Sequence, residues 1–221
     1  MAQSWRNLLF AHWPVDAARL APLVPPPLRL ETFDGAAWLG LTPFAVIALR
    51  ARLLPPVPAL SRFTESNLRT YVTFEGRPGI FFLTLDTDSL PAVLGGRLGY
   101  RLPYRRGTVN RSIVGSWTEH RSASPALQFT ARYAPAGSSF EAGPGSLEKF
   151  LIERYCLYAR TPTALVRADI HHEPWRIYEA DAATTVGVAA TALGPLAEPV
   201  LLHVAPRQDV LVWPPTRAAR V

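Results

Sequence analysis

Along FTESNLRTYVTF (63–74), Glu65, Asn67, Arg69 and Tyr71 occupy alternate positions, so an extended strand presents all four on one face. Such a row suits either a solvated outer surface or a wet interior. Leu68, Val72 and Phe74 do not supply one clean apolar face in its place. In the interior case Glu65 is the candidate catalytic residue. A buried carboxyl beside arginines has its pKa set by competition between desolvation and charge, and can move a proton. Its candidate partners are Arg69, Arg105 and Arg154.

Pro103-Tyr104-Arg105-Arg106 raises a second possibility just after glycines 95, 96 and 99. In extended backbone Tyr104 and Arg106 share one side and Arg105 takes the other. An inward arginine grips a carboxylate with two parallel hydrogen bonds, and a phenol adds a donor. Tyr104 and Arg105 are therefore candidate ligand-binding residues, against the plainer reading of a core tyrosine beside a surface arginine. The glycines fit close packing of a short helix and its exit. A phosphate-cradling loop would need a preceding strand and a following helix, which this stretch lacks.

The elements that would carry these groups are mostly strands. Proline and glycine cut the chain into β-like runs: 5–13, 29–33, 37–49, 67–74 and 79–86 as a hairpin about 75–78, 108–121, 127–133, 166–172, 176–185, 200–204 and 210–213. RLLPPVPALSR (52–62) reads as a surface loop and PPTRAARV (214–221) as a loose tail of a single domain. Asp16 can cap a short helix, AARLAPLV. SLEKFLIERYCLYAR (146–160) reads as the main helix, capped by Ser146, with Leu147, Phe150, Leu151, Tyr155, Leu157 and Tyr158 on one stripe. Arg154 projects from that stripe. It either snorkels to solvent or points into a pocket as a ligand-binding group, because a guanidinium is costly to bury without a partner. Lys149 falls on the opposite, wet side.

Other groups read as structural. Asp86 and Asp88 share a face, but Asp88-Ser89 precedes LPAVLGG and suits a helix cap. His171-His172-Glu173 sends its imidazoles to opposite faces of a strand, so no metal is expected. His12 reads as the edge of a core. Cys156, the single cysteine, excludes an internal disulfide and cysteine-cluster metal sites. The 221 residues are 48% hydrophobic and carry a net charge of +6, and the positive charges are almost all arginine. That charge permits an anionic partner. The arginines are dispersed and no nucleic-acid motif is present, so no nucleic-acid partner is expected. No apolar run reaches membrane-spanning length, so a cytoplasmic protein without a membrane partner is expected. A homo-oligomer is left open.

LLFAHWPVD, the LxPLVPPxLxL segment, FDGAAWLGLTPF, the ExNLRTYV strand, GIFFLTLDTDS, GSLEKFLIERYCLY, HHEPW and VLVWP occur in an order that resembles the YqjF-like family, domain of unknown function 2071. Residues 63–109 also resemble the wider acetoacetate decarboxylase-like superfamily. The resemblance implies an α+β fold, a mostly antiparallel β-barrel with a central cavity and a few flanking helices. It also places Glu65 at the superfamily's glutamate. The decarboxylases use a lysine that forms a Schiff base, with a second lysine beside it lowering its pKa. Here the matching dipeptide is Tyr104-Arg105, and neither a phenol nor a guanidinium forms an imine. The expected function is a pocket for a small organic acid or phenol-like compound, without Schiff-base chemistry and without a cofactor. Glu65 would move a proton, and arginine would steady negative charge. A non-catalytic binding or sensing protein is the alternative.

Overall fold

The computed structural model describes residues 1–57, 60–187, 193 and 196–220. Its first strands are β1 (Ala2–Val15), β2 (Arg29–Leu30), β3 (Thr32–Phe33), β4 (Ala36–Arg50), β5 (Phe63–Phe74) and β6 (Arg77–Thr87). Then come β7 (Tyr104–Arg106), β8 (Thr108–Val114), β9 (Trp117–Ala123), β10 (Gln128–Glu141) and β11 (Cys156–Arg160). The last are β12 (Ala164–His171), β13 (Arg176–Gly187), β14 (Leu201–Val212) and β15 (Thr216–Arg220). Helices α1 (Ala17–Leu20), α2 (Leu90–Tyr100) and α3 (Leu147–Ile152) interrupt them.

Local chemistry explains the boundaries. Asp34-Gly35 and Glu75-Gly76 both adopt positive φ at two successive residues. Such turns match the twist of paired strands, so β3 joins β4, and β5 joins β6, by tight reversals. Asp16 Oδ1 accepts from the Ala18 N–H at 2.9 Å to start α1, and Ser89 Oγ accepts from Ala92 to start α2. The 52–62 loop is exposed over residues 52–57, whereas its Pro58 and Ala59 lie outside the described residues.

The fifteen strands of the described residues form one sheet, whose main order is β15-β12-β11-β6-β5-β4-β1-β14-β13-β10-β9-β8. An added pairing of β12 with β14 links the seven strands from β12 to β14 in a cycle. One face of this sheet carries the core of Phe10, Trp38, Tyr71, Phe82, Leu157 and Trp175. The opposite face carries Leu9, Leu39, Leu41, Leu68 and Phe129. Residues 65–72 of β5 are therefore buried on both faces, which removes the apolar alternation that a half-exposed strand would show.

Four expectations are corrected. The 146–160 segment is not one helix: α3 ends at Ile152, and Cys156–Arg160 pairs in parallel with β6. A run buried on both faces imitates the apolar stripe of a helix, and Tyr155, assigned to that stripe, is 41% exposed. Residues 108–121 form a hairpin rather than one strand, turning at Gly115 with φ 61°. The two runs at 200–204 and 210–213 are one strand, β14. The supposed tail is β15, paired antiparallel with β12.

Candidate functional site

The site grows from the close approach of α2 to β7. Arg101 ends α2 in the left-handed region, φ 59°, and turns the chain toward Tyr104. β7 then runs parallel to β6, with Tyr104 beside Leu85 and Arg105 beside Asp86. Gly96 makes this approach possible. A Cβ there would lie 2.2 Å from Tyr104 Cδ2, so only glycine lets the helix rest on the ring.

Between α2, β1, β4 and β5 lies a cavity of about 310 Å³, walled by Trp5, Leu49, Phe63, Ala92, Tyr100 and Leu102 among others. Glu65 and Tyr104 line it, and Glu65 supplies the one charged side chain among its described lining residues. Tyr104 Oη donates to Glu65 Oε2 at 2.9 Å, and Asn67 Nδ2 donates to Oε1 at 2.8 Å. Glu65 is 4% exposed. Burial pushes its carboxyl up from 4.5 to about 7, against the two hydrogen bonds, which favour the charged form. Burial and the adjacent carboxyl hold the Tyr104 phenol well above its ordinary value. Near neutral pH this is a carboxyl poised between its two forms, beside a phenol that keeps its proton.

The other three candidates do not join them. Arg69 lies on the inner face of β5, 8% exposed, and its Nη2 donates to the Leu151 carbonyl at 3.2 Å. Its guanidinium carbon sits 5.6 Å from the Phe10 ring centre and 5.7 Å from that of Tyr71. Arg154, in the bend after α3, pairs with Glu31 Oε2 at 2.5 Å and donates from Nε to the Phe150 carbonyl. Its partner is thus Glu31 and not Glu65. Arg105 is exposed, because the inward turn of Tyr104 sends its neighbour to the other side of the strand. Neither Arg69 nor Arg154 lines the Glu65 cavity. Lys149 is exposed, as its place on the helix required.

Several contributing residues escaped the sequence reading. Trp5 and Phe63 wall the cavity from β1 and the start of β5, positions that look like ordinary strand aromatics. Gly96 was legible as a packing glycine, but not as the seat of the Tyr104 ring. Glu31 lies in LRLETF with nothing local to mark it as the mate of an arginine 123 residues away. Asp86 is buried and accepts from Thr84 Oγ1 at 2.8 Å and Ser124 Oγ at 2.5 Å, a structural role. His12 Nε2 meets the Tyr71 hydroxyl at 2.8 Å, and burial with the Arg69 charge keeps it neutral. His171 is exposed while His172 is buried and meets the Glu173 carbonyl at 2.8 Å.

Residues 2–209 match the family DUF2071, described as an uncharacterized conserved protein. The chain is 43% identical over 220 residues to the uncharacterized protein YqjF of Bacillus subtilis (strain 168), covering 97% of this chain and 90% of that one. Among solved structures it is similar to an acetoacetate decarboxylase, with TM-score 0.73 and 16% identity over 100% of this chain and 90% of that one. It is also similar to an acetoacetate decarboxylase-like enzyme from Sphingomonas wittichii RW1, with TM-score 0.72 and 17% identity over 100% and 94% of the two chains. A third likeness is to the enduracididine biosynthesis enzyme MppR, with TM-score 0.68 and 16% identity over 99% and 87%. At these identities the solved structures establish the fold alone.

Proposed function

This chain belongs to the DUF2071 family and has an acetoacetate decarboxylase-like fold, and we propose that its cavity binds a small organic acid or phenol-like compound and moves a proton on it. In this reading the seven-strand cycle is a barrel, and the cavity under α2 opens into it. Glu65, as carboxylate, takes a proton from carbon beside the ligand's carbonyl, or from its hydroxyl. With ligand bound, Tyr104 turns its single O–H from Glu65 to the oxygen that gains charge, the part expected of an arginine. The proton held on Glu65 exchanges with water, and one returns to the same or another position of the ligand, so the step is an exchange or an isomerisation and needs no oxidant. No imine is involved, since the cavity offers a phenol where the decarboxylases resembled by residues 63–109 hold their lysine.

The observation that carries the proposal is the pairing of Glu65, poised near pH 7, with Tyr104 at 2.9 Å on the wall of an otherwise apolar cavity. A thermal-shift screen of phenols and small organic acids tests it first. Stabilising compounds are then incubated in heavy water and analysed by mass spectrometry. Deuterium uptake that is abolished in Glu65→Gln and slowed in Tyr104→Phe supports proton transfer. Binding without uptake makes the protein a binder, and binding indifferent to both substitutions removes the cavity from consideration.

A further inference from the structure

A second cavity, of about 630 Å³, lies on the far side of Phe63 from the first and is lined by Arg6, Arg62 and Arg111 together. We propose that it is a binding site for a phosphate-type oxyanion, free or as the phosphate group of a small molecule. This inference stands without the reading of Glu65 given above.

Three guanidiniums on one cavity repel one another and are tolerated where something negative is shared between them. Among the described residues none of the three forms an ion pair. The Nε atoms of Arg6 and Arg111 are buried with no hydrogen-bond partner. These atoms are closed off from solvent, so a ligand in the cavity would meet the terminal Nη groups instead. Arg111 rests on neutral groups, its side chain hydrogen-bonded to Tyr133. Asp209 acts on Arg6 through space, but it is already held by Arg207 at 2.7 Å. Arg6 also lies opposite Arg207 in the β1–β14 ladder, and that arginine is the one Asp209 holds.

The neutral lining suits an oxyanion as well. Thr64 and Ser89 contribute hydroxyl donors, and Ser89, the cap of α2, places the start of that helix at the cavity wall. Asp88 is the one acidic side chain in the lining, leaving three cations against one anion. A planar guanidinium fork matches phosphate oxygens in pairs, and three forks favour a dianion over a singly charged acid. The dispersed arginines of the sequence are thus gathered here by folding: residues 6, 62 and 111 come from β1, the approach to β5, and β8.

Isothermal titration with inorganic pyrophosphate and with inorganic phosphate, at low ionic strength, tests the site. Saturable one-to-one binding is expected, weakened about tenfold by Arg62→Ala, the loss of one charge-assisted contact. Arg62 is exposed, so its removal leaves the core intact. Arg111→Gln should weaken binding too, while Asp88→Asn should tighten it. Arg176→Ala, on a remote exposed arginine, and Glu65→Gln should change nothing. If Arg176→Ala weakens binding as much as Arg62→Ala, the effect is diffuse surface charge and the site is refuted. Absence of saturation by either anion also refutes it, as does saturation by an oligonucleotide alone.

Discussion

Replacing Glu65 by glutamine should make the protein more stable, and only above mildly acid pH. A buried carboxyl whose folded pKa is raised from 4.5 to about 7 binds its proton more tightly folded than unfolded. The stability linked to that proton is fully present below about pH 4.5 and is lost as pH rises through 7. The difference is worth about 3 kcal/mol, from ~1.4 kcal/mol per tenfold. At 4% exposure little solvent screening reduces it. The substituted glutamine keeps an oxygen for Asn67 and carries no charge to desolvate. The wild type and Glu65→Gln should therefore melt nearly together near pH 5, draw apart as pH rises to 7, and hold a constant gap above it. The variant should then be higher by on the order of 6–12 °C for a chain of this size. Melting curves from pH 5 to 9 measure the difference. Infrared difference spectroscopy follows the protonated carboxyl directly, with a midpoint near 7 that is missing in the variant. A midpoint in the ordinary carboxylate range, or a constant melting difference across pH, would refute the reasoning.

Tyr104→Phe deletes a hydrogen bond that favours the Glu65 carboxylate, so the infrared midpoint should move further up. Gly96→Ala puts a methyl into the Tyr104 ring, which should cost about 1–3 kcal/mol in denaturant titrations and move the Glu65 midpoint in the same direction. Arg154→Ala strands Glu31, whose side chain is 19% exposed, and should destabilise by roughly 3 kcal/mol. Adding Glu31→Gln should recover part of that loss in a double-mutant cycle. Borohydride with a panel of ketoacids should trap no adduct. A covalent adduct on Lys149 would overturn the exclusion of imine chemistry.

Much of the architecture was legible because short-range chemistry enforces it. Asp16, Ser89 and Ser146 each cap a helix start, and Asp34-Gly35 and Glu75-Gly76 make the reversals their φ values demand. The row Glu65, Asn67, Arg69, Tyr71 was visible as one strand face, but its burial was not. Periodicity reports which residues share a face and says nothing of what covers it. The same ambiguity hid β11, where an apolar run enclosed on both sides copied the pattern of a helix.

What the sequence by itself determined is therefore local: the turns, the caps, the strand-rich composition, the shared face of the Glu65 row, and a phenol at position 104 incapable of forming an imine. What tertiary structure alone decided is which charges meet. Glu65 drew Tyr104 and Asn67, Arg154 drew Glu31, and Arg105 was turned out to solvent. The physical reason is distance along the chain. Contacts across 39 and 123 residues depend on strand order and on the gap left at Gly96, and neither is written in the neighbours of the residues concerned.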